Sequence, residues 1–501
     1  MSVGAEDQAS VRRVAIVGAG ITGLSAALRL ILTDDDVQVE VFEASTRVGG
    51  IIRTESRDGF LIEHGPDSFI TNKPGGMQLY HDLGISDQLL GTDDRYRRSL
   101  VVHNGRPVPV PEGFMLMAPA KPMAILRTPI LSAAGKLRLL SEAIRPRKQS
   151  DNDESLASFV RRRFGSQTLD RLVQPLVGGI YTSDPEKLSL KATLPRFLTM
   201  EREHGSVIRA TLAAARNETS NNDDTSGSGA RYGLFAAPAD GLSSLIATLQ
   251  ERLHDSGRVR IHYETSVQSV TPGADHHGTW SIVTSHKDSG DSDYDQLIVT
   301  APAWAAARIL KGCRDDALIQ NLNDIEYASS AIVVSAHRLC DFTHPLDAFG
   351  LVVPAVENRK VLAISFASRK FAGRAPEGHV LLRTFVGGAM QPELLEAADA
   401  EISELVRHEL KALLGMHADP AFSIVSRYTR SMPQYHVGHL DRVQKITERV
   451  TTHQGLELAG NAYVGVGIPD SIASGYAAAD RLNQQTNNGQ LSSSADLRLN
   501  R

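Results

Sequence analysis

Short apolar runs, separated by polar and glycine-rich stretches, divide the chain into segments. An apolar run at 14–17 leads through a cluster of glycines into an alanine-rich run at 24–32. A second apolar run at 37–42 ends on Glu43. Lengths and periods predict strand, helix and strand. Residues 98–111 predict a hairpin turning on Asn104-Gly105. From 114 to about 215 the pattern becomes helical, with Met115, Leu116, Met117, Met123, Ile125, Leu126, Ile130 and Leu131 beside Lys121, Arg127, Lys136 and Arg138. That mixture suits a membrane surface, or an ordinary core with a wet outer face. Further on, 241–253 predicts a helix and 259–263, 266–270, 280–284 and 296–300 predict strands. Residues 328–390 are strand-rich and predict a second sheet; 399–414 and 471–482 are helical. The polar stretches 217–230 and beyond 482 read as loop and tail.

The glycines after the first strand carry chemistry. Gly18, Ala19, Gly20, Ile21, Thr22 and Gly23 form a G-x-G-x-x-G turn, and Glu43 follows the last glycine by twenty positions. Strand, glycine turn, helix, strand and carboxylate in this order make a dinucleotide-binding unit. Gly18 permits the sharp turn, Gly20 lets backbone approach a pyrophosphate, and Gly23 lets helix and strand pack closely. The helix start offers N–H groups and a positive dipole end, and Glu43 would accept hydrogen bonds from the adenosine ribose. A tight structural turn is the alternative.

After Glu43 come Ala44, Arg47, Gly49, Gly50 and Ile51, then Ile62-Glu63-His64-Gly65-Pro66-Asp67-Ser68. This resembles the second phosphate-side motif of glutathione-reductase-type FAD proteins, particularly the amine-oxidase superfamily. Adjacent glycines let backbone run beside a bulky flavin, and Arg47 would meet phosphate as a planar cation. Near the C-terminus, Gly460-Asn461-Ala462-Tyr463-Val464-Gly465-Val466-Gly467-Ile468-Pro469 resembles the segment by which that superfamily returns to the flavin. The resemblance implies FAD, held by Gly18, Ala19, Gly20, Ile21, Thr22, Gly23, Glu43, Ala44, Arg47, Gly49, Gly50, Ile51, Gly65, Pro66, Asp67, Ser68, Val267, Gly460, Asn461, Val466, Gly467 and Ile468. It implies an α/β fold: a glutathione-reductase-type FAD-binding Rossmann domain, a mixed-sheet substrate domain and a helical, membrane-associating insertion.

Composition narrows the rest. At 501 residues the chain has room for roughly three domains. A net charge of −5 points to no nucleic-acid partner. Two cysteines, Cys313 and Cys340, form no metal-spaced pair and read as buried apolar residues of a reduced, cytoplasmic protein. The histidines, His276-His277 among them, form no H-E-x-x-H arrangement, so no metal is expected. Glu6 and Asp7 are wrong for the basic start of a signal peptide, and Arg29 and the glycines interrupt the first apolar stretch short of a membrane span. The expected division assigns 11–92, 237–300 and 432–485 to the FAD-binding domain. Residues 93–110 and 301–431 go to the substrate domain, 111–215 to the helical region, 216–231 to a flexible loop and 486–501 to a disordered tail.

A closer resemblance spans nearly the whole chain. Gln174-Pro175-Leu176-Val177-Gly178-Gly179-Ile180-Tyr181, Phe349 to Pro354, Phe371 to Gly378, Thr384 to Gly388 and Met432-Pro433-Gln434-Tyr435 occur in the order found in oxygen-dependent porphyrinogen oxidases. The chain resembles the protoporphyrinogen oxidase family, including its bacterial coproporphyrinogen III oxidase branch. The resemblance implies loss of six electrons and six protons from a porphyrinogen, two electrons at a time through flavin, with molecular oxygen as acceptor. Protoporphyrinogen IX is the first expected substrate and coproporphyrinogen III the alternative. Phe385 and Val352 match the family's substrate cavity, with Gly179 facing the ring. Plant and animal members carry a propionate-pairing arginine where counting back from Pro111 gives Ser99, with Arg97 and Arg98 beside it. A one-residue shift turns a strand side chain to the other face, so either Arg98 pairs in a shifted register or propionate recognition lies elsewhere. No general base is marked by a motif, and Arg53 and Lys360 are cations without an assigned place. The resemblance also implies attachment to the inner face of a membrane and allows a homodimer. A flavin amine oxidase, a carotenoid desaturase, or a non-enzymatic escort protein of the Rab-inhibitor type are the competing readings.

Overall fold

The computed structural model describes residues 11–119, 121–220, 234–273, 279–285 and 293–499. Most of the loop expected at 216–231 and the pair His276-His277 lie outside the described residues.

Strand Arg12–Val17 is apolar at consecutive positions rather than alternating ones, the signature of a strand covered on both faces. It lies at the centre of a parallel sheet whose described strands run in the order Val259–His262, Val37–Phe42, Arg12–Val17, Gln296–Val299, Leu456–Leu458. Helices Ile21–Thr33, Leu242–Asp255 and Ile468–Leu499 bury one face. A small antiparallel sheet (Val267–Pro272, Trp280–Thr284, Asp293–Tyr294) and helices Ala303–Ile309, Asp316–Asn323 and His439–Val450 bury the other. Strands from distant parts of the sequence thus share one nucleotide-type layer.

A second, mixed sheet orders its described strands Phe422–Pro433, Tyr327–Arg338, His379–Gly387, Ala363–Phe366, Gly350–Val352, Ser99–His103, Arg106–Pro109. All pairings are antiparallel except Gly350–Val352 with Ser99–His103. Alternation divides its side chains between two faces. Leu100, Leu351, Ile364, Leu382 and Val333 pack beneath helix Asp399–Leu414. The opposite face looks toward the nucleotide layer and the helical region. The hairpin turn sits at Asn104 and Gly105, both with positive φ (51° and 74°), the backbone that a tight turn matching strand twist needs.

The helical region opens on a short pairing of Phe114–Met115 with Ala118–Pro119 and then runs as helices from Pro122–Arg127 to Val207–Ser220. Its core holds a fully buried ion pair of Arg163 with Glu142, whose carboxylate also accepts the Val207 and Ile208 N–H groups (3.0 and 3.1 Å) and so caps the last helix.

Two expectations are corrected. The chain just beyond Leu482 is helical rather than a loose tail: helix Ile468–Leu499 continues past it, with Asn483 and Thr486 tied to Arg12 and Gln296 (2.6 and 3.1 Å) across the strand ends. Cys340 is exposed rather than buried, since it lies in a short turn after strand Tyr327–Arg338; Cys313 is partly buried, and burial pushes its thiol up to about 11.

Candidate active site

At the first glycine turn the three glycines differ in what surrounds them. A Cβ at Gly18 would lie 2.8 Å from Thr300 Oγ1, and one at Gly23 would lie 2.0 Å from the Gly18 carbonyl oxygen. A Cβ at Gly20 would meet nothing within 4 Å. Gly18 and Gly23 are therefore glycine for packing, and Gly20 for the open approach beside it. Helix Ile21–Thr33 begins there with no side chain capping its first N–H groups. Glu43 accepts the Ala19 N–H (2.9 Å) through Oε2 and the Ser45 N–H and hydroxyl (2.9 and 2.7 Å) through Oε1. Its remaining lone pairs stay available for a sugar hydroxyl. Thr265 N–H bonds the Glu43 carbonyl (2.8 Å), which brings Val267 and exposed Ala44 to the same end of the sheet.

The second glycine turn lies directly against the first. Gly49 N–H donates to the Ala19 carbonyl (2.8 Å), and a Cβ on Gly50 would lie 3.3 Å from the Gly20 Cα. The Arg47 guanidinium donates to the carbonyls of Val48, Ile52 and Gly50 (3.1, 2.9 and 2.6 Å), so in this structure it shapes the turn. Gly65 sits under it, where a Cβ would lie 2.0 Å from the Ile51 carbonyl oxygen. Pro66, Asp67 and Ser68 are half-buried. In the C-terminal segment Gly460 N–H bonds Ser474 Oγ (2.9 Å), and Gly467 N–H bonds Asp470 (3.3 Å) at the start of helix Ile468–Leu499. Lys73 holds Asp470 through both oxygens at 2.7 Å. The Asn461 carbonyl accepts the Tyr435 hydroxyl, and Tyr435 stacks on His439 at 4.0 Å.

The residues expected on the substrate side meet on one face of the large sheet. Val352 is opposite Ala363, Ala363 opposite Phe385, and Phe385 opposite Ile332, forming a row across adjacent strands. Gly179 lies above it: a Cβ there would be 3.9 Å from Val352 Cγ1. Its helix, Gln174–Tyr181, follows a wide π-type turn, Leu169–Val173, because Pro175 has no N–H to continue the regular ladder. Gln174 accepts the Ala355 N–H (2.9 Å), which fixes that helix over the strand bearing Val352. Val466 packs in the same apolar cluster as Val352 and Val177, so the C-terminal glycine segment borders this space. At the sheet edge a cavity of about 740 Å³ is lined by Ser99, Arg97, Arg98, Val108, Arg127, Phe235 and Phe349, among others.

Arg98 is tied to Asp347, donating to its carbonyl from Nε (2.8 Å) and to its carboxylate. Ser99, not Arg98, shares the face of Phe385 through its register with Gly350 and Ser365. Arg53 lies beside Glu55 (3.7 Å), and the Lys360 N–H meets Glu409 on the helix covering the far face.

Charged residues that sequence reasoning assigned no role lie against the Gly65–Ser68 segment and its neighbours. Arg383 is 2% exposed and bonds Asp67 (2.9 Å) and the Gly65 carbonyl. Lys370 bonds Asp67 (3.2 Å) and Ser68 Oγ (2.7 Å). Burial alone would raise the Asp67 carboxyl, but the Lys370 and Arg383 cations overcome it and hold it well below the usual carboxylate range. His64 bridges Glu55 (2.9 Å) and Ser426 (3.0 Å), and burial lowers its imidazole despite Glu55. Glu63 accepts the Leu242 N–H and the Thr54 hydroxyl (2.7 Å each), and burial raises its carboxyl. The one signal available was a charge inside an apolar strand: Arg383 interrupts Val380-Leu381-Leu382 and Phe385-Val386.

The open approach at Gly20, the uncapped helix start and Glu43 beside it fit the phosphates and ribose of an adenine dinucleotide. The Gly49-Gly50 turn packed on Gly20, with Gly65 against the Ile51 carbonyl, fits the rest of FAD. Known proteins agree. The model of flavin containing amine oxidoreductases matches residues 21–483, and the chain belongs to that family. It is 32% identical over 473 residues to the coproporphyrinogen III oxidase of Staphylococcus aureus, covering 94% of this chain and 99% of that one. It is 29% identical over 504 residues to the mitochondrial protoporphyrinogen oxidase of Nicotiana tabacum, covering 96% of each. A crystal structure of an Exiguobacterium protein assigned as a protoporphyrinogen oxidase superposes with a TM-score of 0.82 at 28% identity, over 95% of this chain and 99% of that one. The chain is an FAD-dependent oxidoreductase.

Proposed function

We propose that this protein oxidises a porphyrinogen to the corresponding porphyrin in haem biosynthesis. The observation that carries the reading is the row Val352–Ala363–Phe385 beneath Gly179, on the same sheet face as Ser99, which lines the arginine-bordered cavity. A broad, flexible ring with carboxylate arms matches an apolar floor, an aromatic on which to stack and cations at the rim. FAD, when bound, would supply a two-electron oxidant: each of three rounds would remove one hydride and one proton from the ring, and oxygen would carry them off as hydrogen peroxide. The chain's part is to hold the ring and exclude water. Phe385 and Val352 support one side, and the side-chain-free surface at Gly179 leaves the thickness of the macrocycle on the other. The backbone from Gly18 to Gly23, Gly49 to Ile51, Gly65 to Ser68 and Gly460 to Ile468, with Glu43, Ala44, Arg47 and Val267, would hold FAD in a glutathione-reductase-type domain.

Coproporphyrinogen III, with four propionates, is favoured over protoporphyrinogen IX, with two, by the higher identity to coproporphyrinogen III oxidase (32%) than to protoporphyrinogen oxidase (29%). Porphyrin fluorescence from FAD-loaded protein in air, with autoxidation subtracted, tests the reading. Faster turnover of coproporphyrinogen III is expected; no excess over autoxidation with either porphyrinogen overturns the assignment.

The helical region supports a place at a membrane surface. Met123, Leu126, Leu137 (72% exposed) and Ile144 (80% exposed) stand in water beside Lys121, Arg127, Arg145 and Arg147. Exposed apolar side chains ringed by cations are the chemistry of interfacial binding to anionic lipid. Among the described residues no helix is long and apolar enough to cross a membrane. Co-flotation with anionic vesicles at low salt is expected, and its loss in the double variant Leu137→Glu, Ile144→Glu checks the surface.

A further inference from the structure

Where the family resemblance expects an arginine, Ser99 begins a register row that crosses the sheet as Ser99, Gly350, Ser365, Arg383. Three small residues precede one cation. Gly350 cannot carry a side chain, since a Cβ would lie 2.3 Å from the Ile364 carbonyl oxygen. The row starts in the wall of the cavity at Ser99 and reaches Arg383 about 14 Å away, three strand spacings of about 4.8 Å. Arg383 is two residues before Phe385 on the same face, with its guanidinium carbon 5.6 Å from the Phe385 ring centroid. Lys370, its companion on Asp67, stands over Phe235 at 4.9 Å, in the wall of the same cavity.

Asp67, Glu63 and Asp240 face Lys370, Arg383 and Arg374, so the charges match in number, with Asp240 exposed and the others buried or half-buried. The cluster is short of one acceptor: the Arg383 Nε–H is buried without a partner in the structure. A buried charged donor left unbonded is costly, and a carboxylate supplies the missing acceptor with a charge-assisted bond.

We propose that Arg383 and Lys370, clamped by Asp67, form the carboxylate subsite of the cleft, receiving one propionate of the substrate from the centre of the sheet instead of from its edge at Ser99. The proposal rests on the porphyrinogen reading and names the residues that give it specificity.

The test measures binding separately from turnover. FAD-loaded wild type, Arg383→Gln and Lys370→Met are titrated with coproporphyrin III and with its neutral tetramethyl ester in the same detergent micelles, followed by porphyrin fluorescence. Each variant should weaken the acid about tenfold and leave the ester within about twofold, with KM for coproporphyrinogen III rising more than kcat falls. Equal losses for acid and ester, or no loss for either, overturn the subsite. Unchanged binding with a lowered flavin midpoint potential also overturns it, because the cluster then serves the reduced cofactor. If Arg383→Gln does not retain flavin, Arg383→Lys and Lys370→Met carry the test. Wild type that binds neither acid nor ester refutes the porphyrinogen reading itself.

Discussion

At the first glycine turn the surface offered to a ligand is backbone; across the large sheet it is side chains. Gly18, Gly20, Gly23, Gly49 and Gly50 act through what they lack, and each role follows from local geometry and a neighbour such as Thr300 or Ala19. Val352, Phe385 and Arg383 present side chains on one face, and they become neighbours only because three strands are held in one register. A backbone site is encoded in a contiguous string of residues. A side-chain site is encoded in pairings between strands far apart in the chain.

The contrast is broken most severely within the glycine turn. Gly23→Ala would press a methyl to 2.0 Å from the Gly18 carbonyl oxygen, so a loss of at least about 3 kcal/mol of stability, with no flavin retained, is expected. Gly20→Ala meets open space, so stability should change by less than about 1 kcal/mol while FAD affinity falls tenfold or more. Thermal unfolding and flavin absorbance after gel filtration read the two quantities apart. Equal behaviour of the two variants would mean that Gly20 does not face the cofactor.

Acid should reveal how firmly the two layers share one fold. Burial pushes His337, in the large sheet, and His439, beside the C-terminal glycine segment, down to about 4. Both remain neutral in the folded protein while the unfolded chain takes up protons near pH 6.5. The unfolded state then binds more protons, so the stability present above pH 6.5 is lost as pH falls toward 4, by about 2 kcal/mol per histidine at pH 5. Denaturant midpoints at pH 7 and pH 5 measure this. His439→Phe, which keeps the stack on Tyr435, should flatten the profile by about half; an unaltered profile would remove His439 from the account.

The smallest effect sharpens the substrate side. Phe385→Ala should raise KM for the porphyrinogen about tenfold and leave flavin content unchanged, because the ring is half-buried and belongs to the sheet rather than to the nucleotide turn. Steady-state kinetics with the flavin spectrum as control check it; loss of flavin would place Phe385 at the cofactor instead.

The sequence carried the nucleotide layer well. Strand, turn and helix lengths at 12–33 follow from periodicity, and helix Asp399–Leu414 was bounded correctly by its pattern. The stretch after Leu482 reads as loop composition from its Asn, Gln and Ser, and only Arg12 and Gln296 show that Asn483 and Thr486 have partners in a helix. Arg47 was legible as a residue of the glycine turn, but its engagement with three local carbonyls was not. Arg98 and Ser99 illustrate the limit most clearly: adjacent residues, equally polar, of which one is tied to Asp347 and the other enters the row that ends at Arg383.

By itself, then, the sequence determined the cofactor-binding chemistry, because glycines at fixed spacing constrain φ, ψ and close approach without help from distant residues. Only the tertiary structure decided which cations lie on the sheet face that carries Phe385. A strand exposes alternate side chains, a single-residue slip inverts them, and the register that joins Ser99 to Arg383 is set by the packing of the whole sheet.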